Sequence, residues 1–167
     1  MDAMQTGRQF LKGKHESVWW NLERDQAKGV PPPPLQKPAP EGAKLINLVA
    51  PDDLTVGTMP LIVAITRRRS RRQFTQEPLT LEELSFLLWA TQGVHEIWRD
   101  GTCTRRTVPA SCSNHPFETY LLVYRVTSLE SGLYRYLALD HKLCYLRPVA
   151  ELAAAAEQYA RKNAAVV

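Results

Sequence analysis

Six consecutive residues, 67–72, read Arg-Arg-Arg-Ser-Arg-Arg and are the part of this sequence best suited to binding an anion. Guanidinium groups bind phosphate through paired hydrogen bonds, and the hydroxyl of Ser70 can donate another in the same place. The chain has 21 lysines and arginines against 17 acidic residues. The arginines of this run therefore account for the whole excess of positive charge, and the rest of the sequence is close to neutral.

The local residues leave open which anion the run binds. A basic hexamer is typical of nucleic-acid-binding and nuclear-address segments, and the arginines before Ser70 also resemble a basophilic kinase site. Against nucleic acid, the run lies between an apolar segment and a capped helix, with no interleaved aromatic residues and no second basic stripe. From charge alone, a surface polycation and a specific phosphate site are equally favoured.

Two helices are predicted to flank the run. The apolar segment Leu61–Ile65 is predicted to be buried, and to be a helix with Thr58 as its N-cap. Such a helix would present the arginines at its C-terminal end, where cations suit the helix dipole. The segment Thr80–Gln92 opens with a capping box completed by Glu83, carries leucines along one face, and ends before Gly93.

The remaining segments predict a mixture of strands and helix. Polar composition predicts a loop over residues 94–116, and β-forming residues predict a strand at Tyr120–Val126 and a hairpin over residues 132–146. The alanine-rich residues 151–163 are predicted to be helical, and residues 164–167 to open another strand. The expected class is α+β, and we expect the domain to be truncated before its second half.

The composition of the sequence also predicts the domain organisation and the cellular location of the protein. Residues 1–44 are predicted to be an N-terminal arm and proline-rich linker, and 45–167 the N-terminal half of the domain. The sequence has no long apolar window and no apolar signal region, so a cytoplasmic location without a membrane helix is expected. The odd number of cysteines fits a reducing compartment, and Cys103 and Cys112, nine residues apart, do not have the spacing of a structural zinc site.

Four ordered blocks of sequence carry a family resemblance. Residues 68–74 read Arg-Arg-Ser-x-Arg-x-Phe, and residues 79–94 form the capped helix that follows. Residues 106–120 and 132–141 contain Arg-Thr-Val-Pro, His-Pro-Phe-Glu-Thr-Tyr and Gly-Leu-Tyr-Arg-Tyr. Together these blocks resemble the nitroreductase-like FMN flavoproteins, and the last two resemble the branch of azoline-oxidising dehydrogenases that act in peptide maturation. The resemblance covers about residues 17–167.

The resemblance implies a nitroreductase-like α+β fold, a homodimer with FMN at the subunit interface, and hydride transfer through the flavin. It assigns cofactor contacts to Arg68, Arg69, Ser70, Arg72, Pro109 and Ser111. Arg72 is expected near the N1–O2 edge of the ring, and the loop with Pro109 comes from the partner subunit. The family's Pro-Ser-Ala-Gly is replaced here by Pro-Ala-Ser-Cys at residues 109–112, so Ser111 is expected to supply the hydroxyl one position later. No side chain is expected to be an essential covalent catalyst.

The implied partners are a small-molecule or peptide substrate and NAD(P)H as a candidate electron donor. Two other functions stay open: a non-catalytic remnant or interaction module with a phosphate-binding loop, and, less favoured, nucleic-acid binding. Three polar residues have plainer expectations. His115 is predicted to be a hydrogen-bonded loop histidine and His141 an exposed turn residue, while Glu118 is equally expected to pair with an arginine or to face solvent.

Overall fold

The computed structural model describes residues 3–12, 23–25, 27–71, 73, 75–110 and 113–150. The chain divides into two compact units, Met1–Pro33 and Pro34–Val167. The first unit contains helix α1 (Ala3–Leu11) and an exposed ion pair between Lys28 and Glu23. All the other elements described below belong to the second unit.

The described residues of the second unit form two α-helices, a short 3-10 helix (Pro51–Asp53) and two antiparallel sheets, which confirms the predicted α+β class. In chain order its elements are β1 (Leu45–Asn47), α2 (Leu61–Arg67), α3 (Leu81–Gln92), β2 (Val94–Trp98), β3 (Cys103–Arg106), β4 (Tyr120–Val123), β5 (Gly132–Leu137) and β6 (Lys142–Arg147). A larger sheet has the order β1-β6-β5-β4, and β2 pairs only with β3. None of the described helices is long and apolar enough to cross a membrane.

The core lies between α3 and one face of the larger sheet. Tyr134 and Tyr136 alternate along β5 and point to this face, where they are joined by Leu143 of β6. Leu84 and Leu88, one turn apart on α3, cover them from above. Removal of these apolar side chains from water is what holds the helix on the sheet.

Helix α3 follows the prediction closely. Thr80 and Glu83 form the expected capping box, with Glu83 N donating to Thr80 Oγ1 over 3.1 Å and Thr80 N donating to Glu83 Oε2 over 2.8 Å. Gly93 ends the helix as predicted, but its φ of −56° is not left-handed. Glycine is required for a different reason: a Cβ there would lie 2.5 Å from the carbonyl oxygen of Trp89.

Helix α2 confirms the predicted helix but not its cap or its burial. Its N-cap is Pro60, with no side-chain capping bond, so Thr58 does not cap it. Leu61, Ile62 and Ile65 are 75%, 68% and 61% exposed. The prediction of burial was wrong because no part of the second unit that the structure describes covers this apolar surface; the helix itself contains no buried residue.

The predicted loop over residues 94–116 was wrong in its first half, which is the β2–β3 hairpin. Its turn contains three consecutive residues with positive φ, Arg99, Asp100 and Gly101. An Asp-Gly pair favours such turns because both residues tolerate this conformation. The Trp98 ring lies 4.3 Å and 4.7 Å from the guanidinium carbons of Arg99 and Arg105, which adds cation–π contacts to the hairpin.

The later strands agree better with the sequence. The β5–β6 hairpin is confirmed, and the predicted strand Tyr120–Val126 is present as the shorter β4. The predicted helix over 151–163 and the strand at 164–167 lie outside the described residues. Residues 36–38 are held on the larger sheet: Lys37 N donates to Glu118 Oε1 over 2.7 Å, and the buried Arg135 donates through Nη2 to Pro38 O over 2.8 Å.

Candidate functional site

The arginine run follows the C-terminal end of α2. Arg67 is the last residue of the helix, and the Arg68 N–H still donates to Ala64 O over 2.9 Å. The Arg69 side chain turns back on its own backbone, where Nη1 donates to the carbonyls of Thr66 (3.0 Å) and Arg68 (2.8 Å). The run therefore begins at a helix end whose carbonyl groups already attract positive charge.

The described arginines of the run, at positions 67–69 and 71, are exposed and pair with no carboxylate among the described residues. Arg67, Arg68, Arg69, Ser70 and Arg71 are all exposed. The three ion pairs found among the described residues lie elsewhere, so none of these guanidinium groups has a carboxylate partner in that part of the chain. A cluster of like charges without counter-ions, with a hydroxyl inside it, fits a phosphate group. Arg72, the predicted ring contact, lies outside the described residues.

The loop after β3 borders a separate cavity of about 470 Å³. Its lining residues are Gln92, Val108, Pro109, Ala110, Asn114, His115, Pro116 and Phe117. This volume lies in the range of sites for small ligands and cofactors, and the wall is mostly apolar with a few polar groups. Pro109 lines this cavity, and its predicted contact with a cofactor stays a prediction; Ser111 lies outside the described residues.

His115 is the titratable group in the wall of this cavity. Two effects lower the pKa of His115: partial burial, which is the larger, and the positive charge of Arg106. The neutral form of the ring therefore predominates at pH 7. The hydrogen bond predicted for this loop histidine is not found: its ring makes no hydrogen bond to any residue that the structure describes. A neutral imidazole can both donate and accept a hydrogen bond.

A family model described as "Nitroreductase family" matches residues 65–165, which is more than half of the chain. This chain belongs to the nitroreductase family. The matched region begins just before the arginine run and includes the cavity beside Pro109. Nitroreductases are flavin-dependent oxidoreductases that commonly bind FMN.

Two similar proteins are both named as putative nitroreductases. One, from Methanocaldococcus jannaschii, is 37% identical over 79 residues, which are 47% of this chain and 37% of that protein. The other is a crystal structure from Ralstonia eutropha JMP134, 34% identical, with a TM-score of 0.49; the match covers 67% of this chain and 48% of that one. The chain therefore spans less than half the length of these relatives.

The nitroreductase site residues predicted from sequence fall into two groups that the described structure does not bring together. No arginine of the run is among the described residues that line the Pro109 cavity. The sequence reasoning missed Gln92, Asn114 and Phe117 as lining residues. Phe117 could have been found from the sequence, since it is an apolar residue within a polar segment. In the structure it is 85% exposed.

Two further expectations for polar residues had different outcomes. His141 is not exposed: it is half-buried, with Nε2 2.9 Å from Val49 O and Nδ1 2.7 Å from Tyr136 Oη. Because a carbonyl only accepts, Nε2 carries the proton of the neutral ring and Tyr136 donates to Nδ1. Glu118 has no arginine within ion-pair distance among the described residues and accepts the hydrogen bond from Lys37 N instead.

Proposed function

We propose that this chain contributes the phosphate-binding part of an FMN-dependent oxidoreductase site. The observation that carries the proposal is the exposed, uncompensated arginine cluster at the start of the nitroreductase match. Arg68, Arg69 and Ser70 hold the flavin phosphate and ribityl chain, and Arg72 places positive charge at the N1–O2 edge of the ring. When bound, FMN supplies the centre that accepts and donates hydride.

The loop with Pro109 and Ser111 approaches the flavin from the partner subunit of a homodimer. Separation of this loop from the arginine run within one chain is consistent with a site shared between two copies. The exposed face of α2 supports the same arrangement, because three large aliphatic side chains there are more than half exposed. Burying each of them fully would contribute about 1.5–3 kcal/mol.

The substrate is a small molecule or peptide that enters the cavity beside Pro109, with NAD(P)H as the electron donor. The blocks over residues 106–120 and 132–141 support the azoline-oxidising branch, whose substrates are peptides. The neutral His115 can donate a hydrogen bond to such a substrate. Two free, buried thiols, Cys103 and Cys144, support a cytoplasmic location.

A second candidate function is that of a non-catalytic module, which binds phosphate but does not catalyse a reaction. Phosphate binding by the arginine run does not require the Pro109 cavity, because no described arginine of the run lines it, and this supports the alternative. Such a module would bind FMN or free phosphate through the arginine cluster without oxidising NAD(P)H.

Flavin titration of the purified chain tests the proposal. We expect FMN to bind with quenching of its fluorescence, and riboflavin, which lacks the phosphate, to bind more weakly. Arg68→Ala should weaken FMN binding by about tenfold or more, because a charge-assisted hydrogen bond contributes about 1.5–3 kcal/mol, and should leave riboflavin binding unchanged. Arg105→Ala is the matched control, because this exposed arginine pairs with Glu96 in the β2–β3 hairpin.

Two outcomes would count against the proposal. If neither flavin binds, the chain does not form the site. If duplex DNA binds instead, with an affinity that falls steeply with salt and depends on Arg68, the polycation interpretation is correct. Binding of FMN without oxidation of NAD(P)H would identify the non-catalytic module.

A further inference from the structure

Thr107 connects the Pro109 loop to the end of helix α3. It is the first residue after β3 and is half-buried. Its hydroxyl Oγ1 donates to the carbonyl of Trp89 over 2.9 Å, and its backbone N–H donates to the carbonyl of Gly93 over 2.9 Å. These two bonds join residues 14 and 18 positions apart in the sequence.

The carbonyl of Trp89 accepts two hydrogen bonds at this junction. Besides the Thr107 hydroxyl, the Gly93 N–H donates to it over 2.7 Å. Trp89 lies in the last turn of α3, where carbonyl groups have no partner within the helix. The Gly93 N–H already supplies one partner for the Trp89 carbonyl, and the Thr107 hydroxyl adds a second from another segment.

Gly93 lies too close to Trp89 for any side chain to fit at position 93. A Cβ at position 93 would lie 2.5 Å from both the carbonyl oxygen and the ring atom Cδ1 of Trp89. Only glycine lets the chain turn so tightly from α3 into β2. The geometry of the junction is thus fixed on the helix side, and the Thr107 hydroxyl fixes it on the loop side.

The two segments joined at Thr107 both contribute to the lining of one cavity. Gln92, the last residue of α3, lines the cavity beside Gly93, and Val108, Pro109 and Ala110 line it directly after Thr107. The side-chain bond to Trp89 therefore acts together with the backbone bond to Gly93 and the Val94–Arg106 strand pair in tying the helix end to the start of the loop.

We propose that Thr107 is a positioning residue whose hydroxyl holds the 108–110 loop at the distance from α3 at which the cavity accepts a flat ring. The inference rests on the proposed function for the identity of that ring, the flavin isoalloxazine or the substrate beside it. Thr107 itself is outside the cavity lining and touches neither group. It acts only through the loop.

Two substitutions isolate the hydroxyl. Thr107→Val keeps the branched shape and removes the donor, whereas Thr107→Ser keeps the donor. The first measurement is the rate of tryptic cleavage at Arg105 and Arg106 in the chain without flavin, mapped by mass spectrometry. Loss of one hydrogen bond is expected to raise this rate about three- to tenfold in Thr107→Val, and Thr107→Ser should match the wild type.

The second measurement compares FMN with riboflavin. Thr107→Val should weaken the binding of both flavins by the same factor, about three- to tenfold, because it changes the ring site and not the phosphate site. Arg68→Ala should instead weaken FMN alone. A general loss of folded protein would also weaken both flavins equally, so the comparison is made where the far-UV circular dichroism of Thr107→Val matches that of the wild type; rescue by serine then assigns the effect to the hydroxyl.

The outcomes separate this inference from the proposed function. If the wild type binds neither flavin, the proposed function fails, and the cleavage rates still decide whether the hydroxyl holds the loop. Equal cleavage of the wild type and Thr107→Val, or equal acceleration in both variants, would overturn the inference. If Thr107→Val does not fold, Thr107→Ala is compared with Thr107→Ser by the same two criteria.

Discussion

Tyr136→Phe tests the hydrogen-bond network that ties the β5–β6 hairpin to residue Val49. The substitution removes one hydroxyl and leaves the ring in the core, where Tyr136 is 2% exposed. It deletes the 2.7 Å bond to His141 Nδ1 and leaves this nitrogen without its donor in a half-buried place. Because a buried group that loses its partner costs about 1–3 kcal/mol, we expect the free energy of unfolding to fall by about 1–2 kcal/mol.

The same network makes stability depend on pH. Burial lowers the pKa of His141 below its ordinary value of 6.5, and the hydrogen bond with Val49 opposes this shift only in part. Below pH 6.5 the unfolded chain therefore binds more protons than the folded chain. The stabilisation is fully present above pH 6.5 and is lost as the pH falls through the lower folded pKa. His141→Gln removes the titrating ring and should flatten this part of the curve.

Urea unfolding followed by far-UV circular dichroism at pH 8 and pH 5 measures both effects. Tyr120→Phe is the control, because Tyr120 is 50% exposed and its hydroxyl should contribute less than about 0.5 kcal/mol. The lowered pKa of His115 acts in the same direction, so only the difference in slope between wild type and His141→Gln is assigned to His141. The reasoning is refuted if Tyr136→Phe is as stable as Tyr120→Phe, or if His141→Gln keeps the full pH dependence.

Two further predictions concern α3. Gly93→Ala should destabilise the chain by about 1–3 kcal/mol through the clash with Trp89, since its φ of −56° suits any residue; an unchanged melting temperature would contradict this. Thr80→Ala should cost about 0.5–2 kcal/mol by removing the N-cap, and Thr80→Ser should restore most of it; equal losses in both variants, measured by urea unfolding, would show that the cap does not matter.

The sequence predicted best what is decided locally. The capping box at Thr80 and the β5–β6 hairpin depend on residues a few positions apart, and both are present. The β2–β3 hairpin was missed although Asp100-Gly101 signalled its turn, because the strands around it lack clear apolar alternation. The contacts of His141 were not predictable, since Val49 lies 92 positions away and only the fold brings it near.

The candidate site was predictable to the same extent. The arginine run could be found from the sequence alone, because its positive charges lie within six consecutive residues. The cavity could not, because its lining comes from the end of α3 and from two parts of the segment after β3. The burial of α2 was predicted wrongly for a related reason: an apolar sequence shows that a surface needs covering but not which segment or subunit covers it.

Helix α2 has an exposed aliphatic face and a cluster of arginines at its C-terminal end, and the proposed function gives a partner to both. Its exposed aliphatic face favours association. The arginines at its C-terminal end pair with no described carboxylate, and they oppose association because a subunit that covers α2 would also remove water from these cations. A phosphate bound among Arg68, Arg69 and Ser70 removes the opposing term and leaves the apolar term. Under the proposed function, flavin binding and dimer formation would be linked, and each would strengthen the other by the same free energy. The proposed function therefore makes the arginine cluster and the apolar face two parts of one interface.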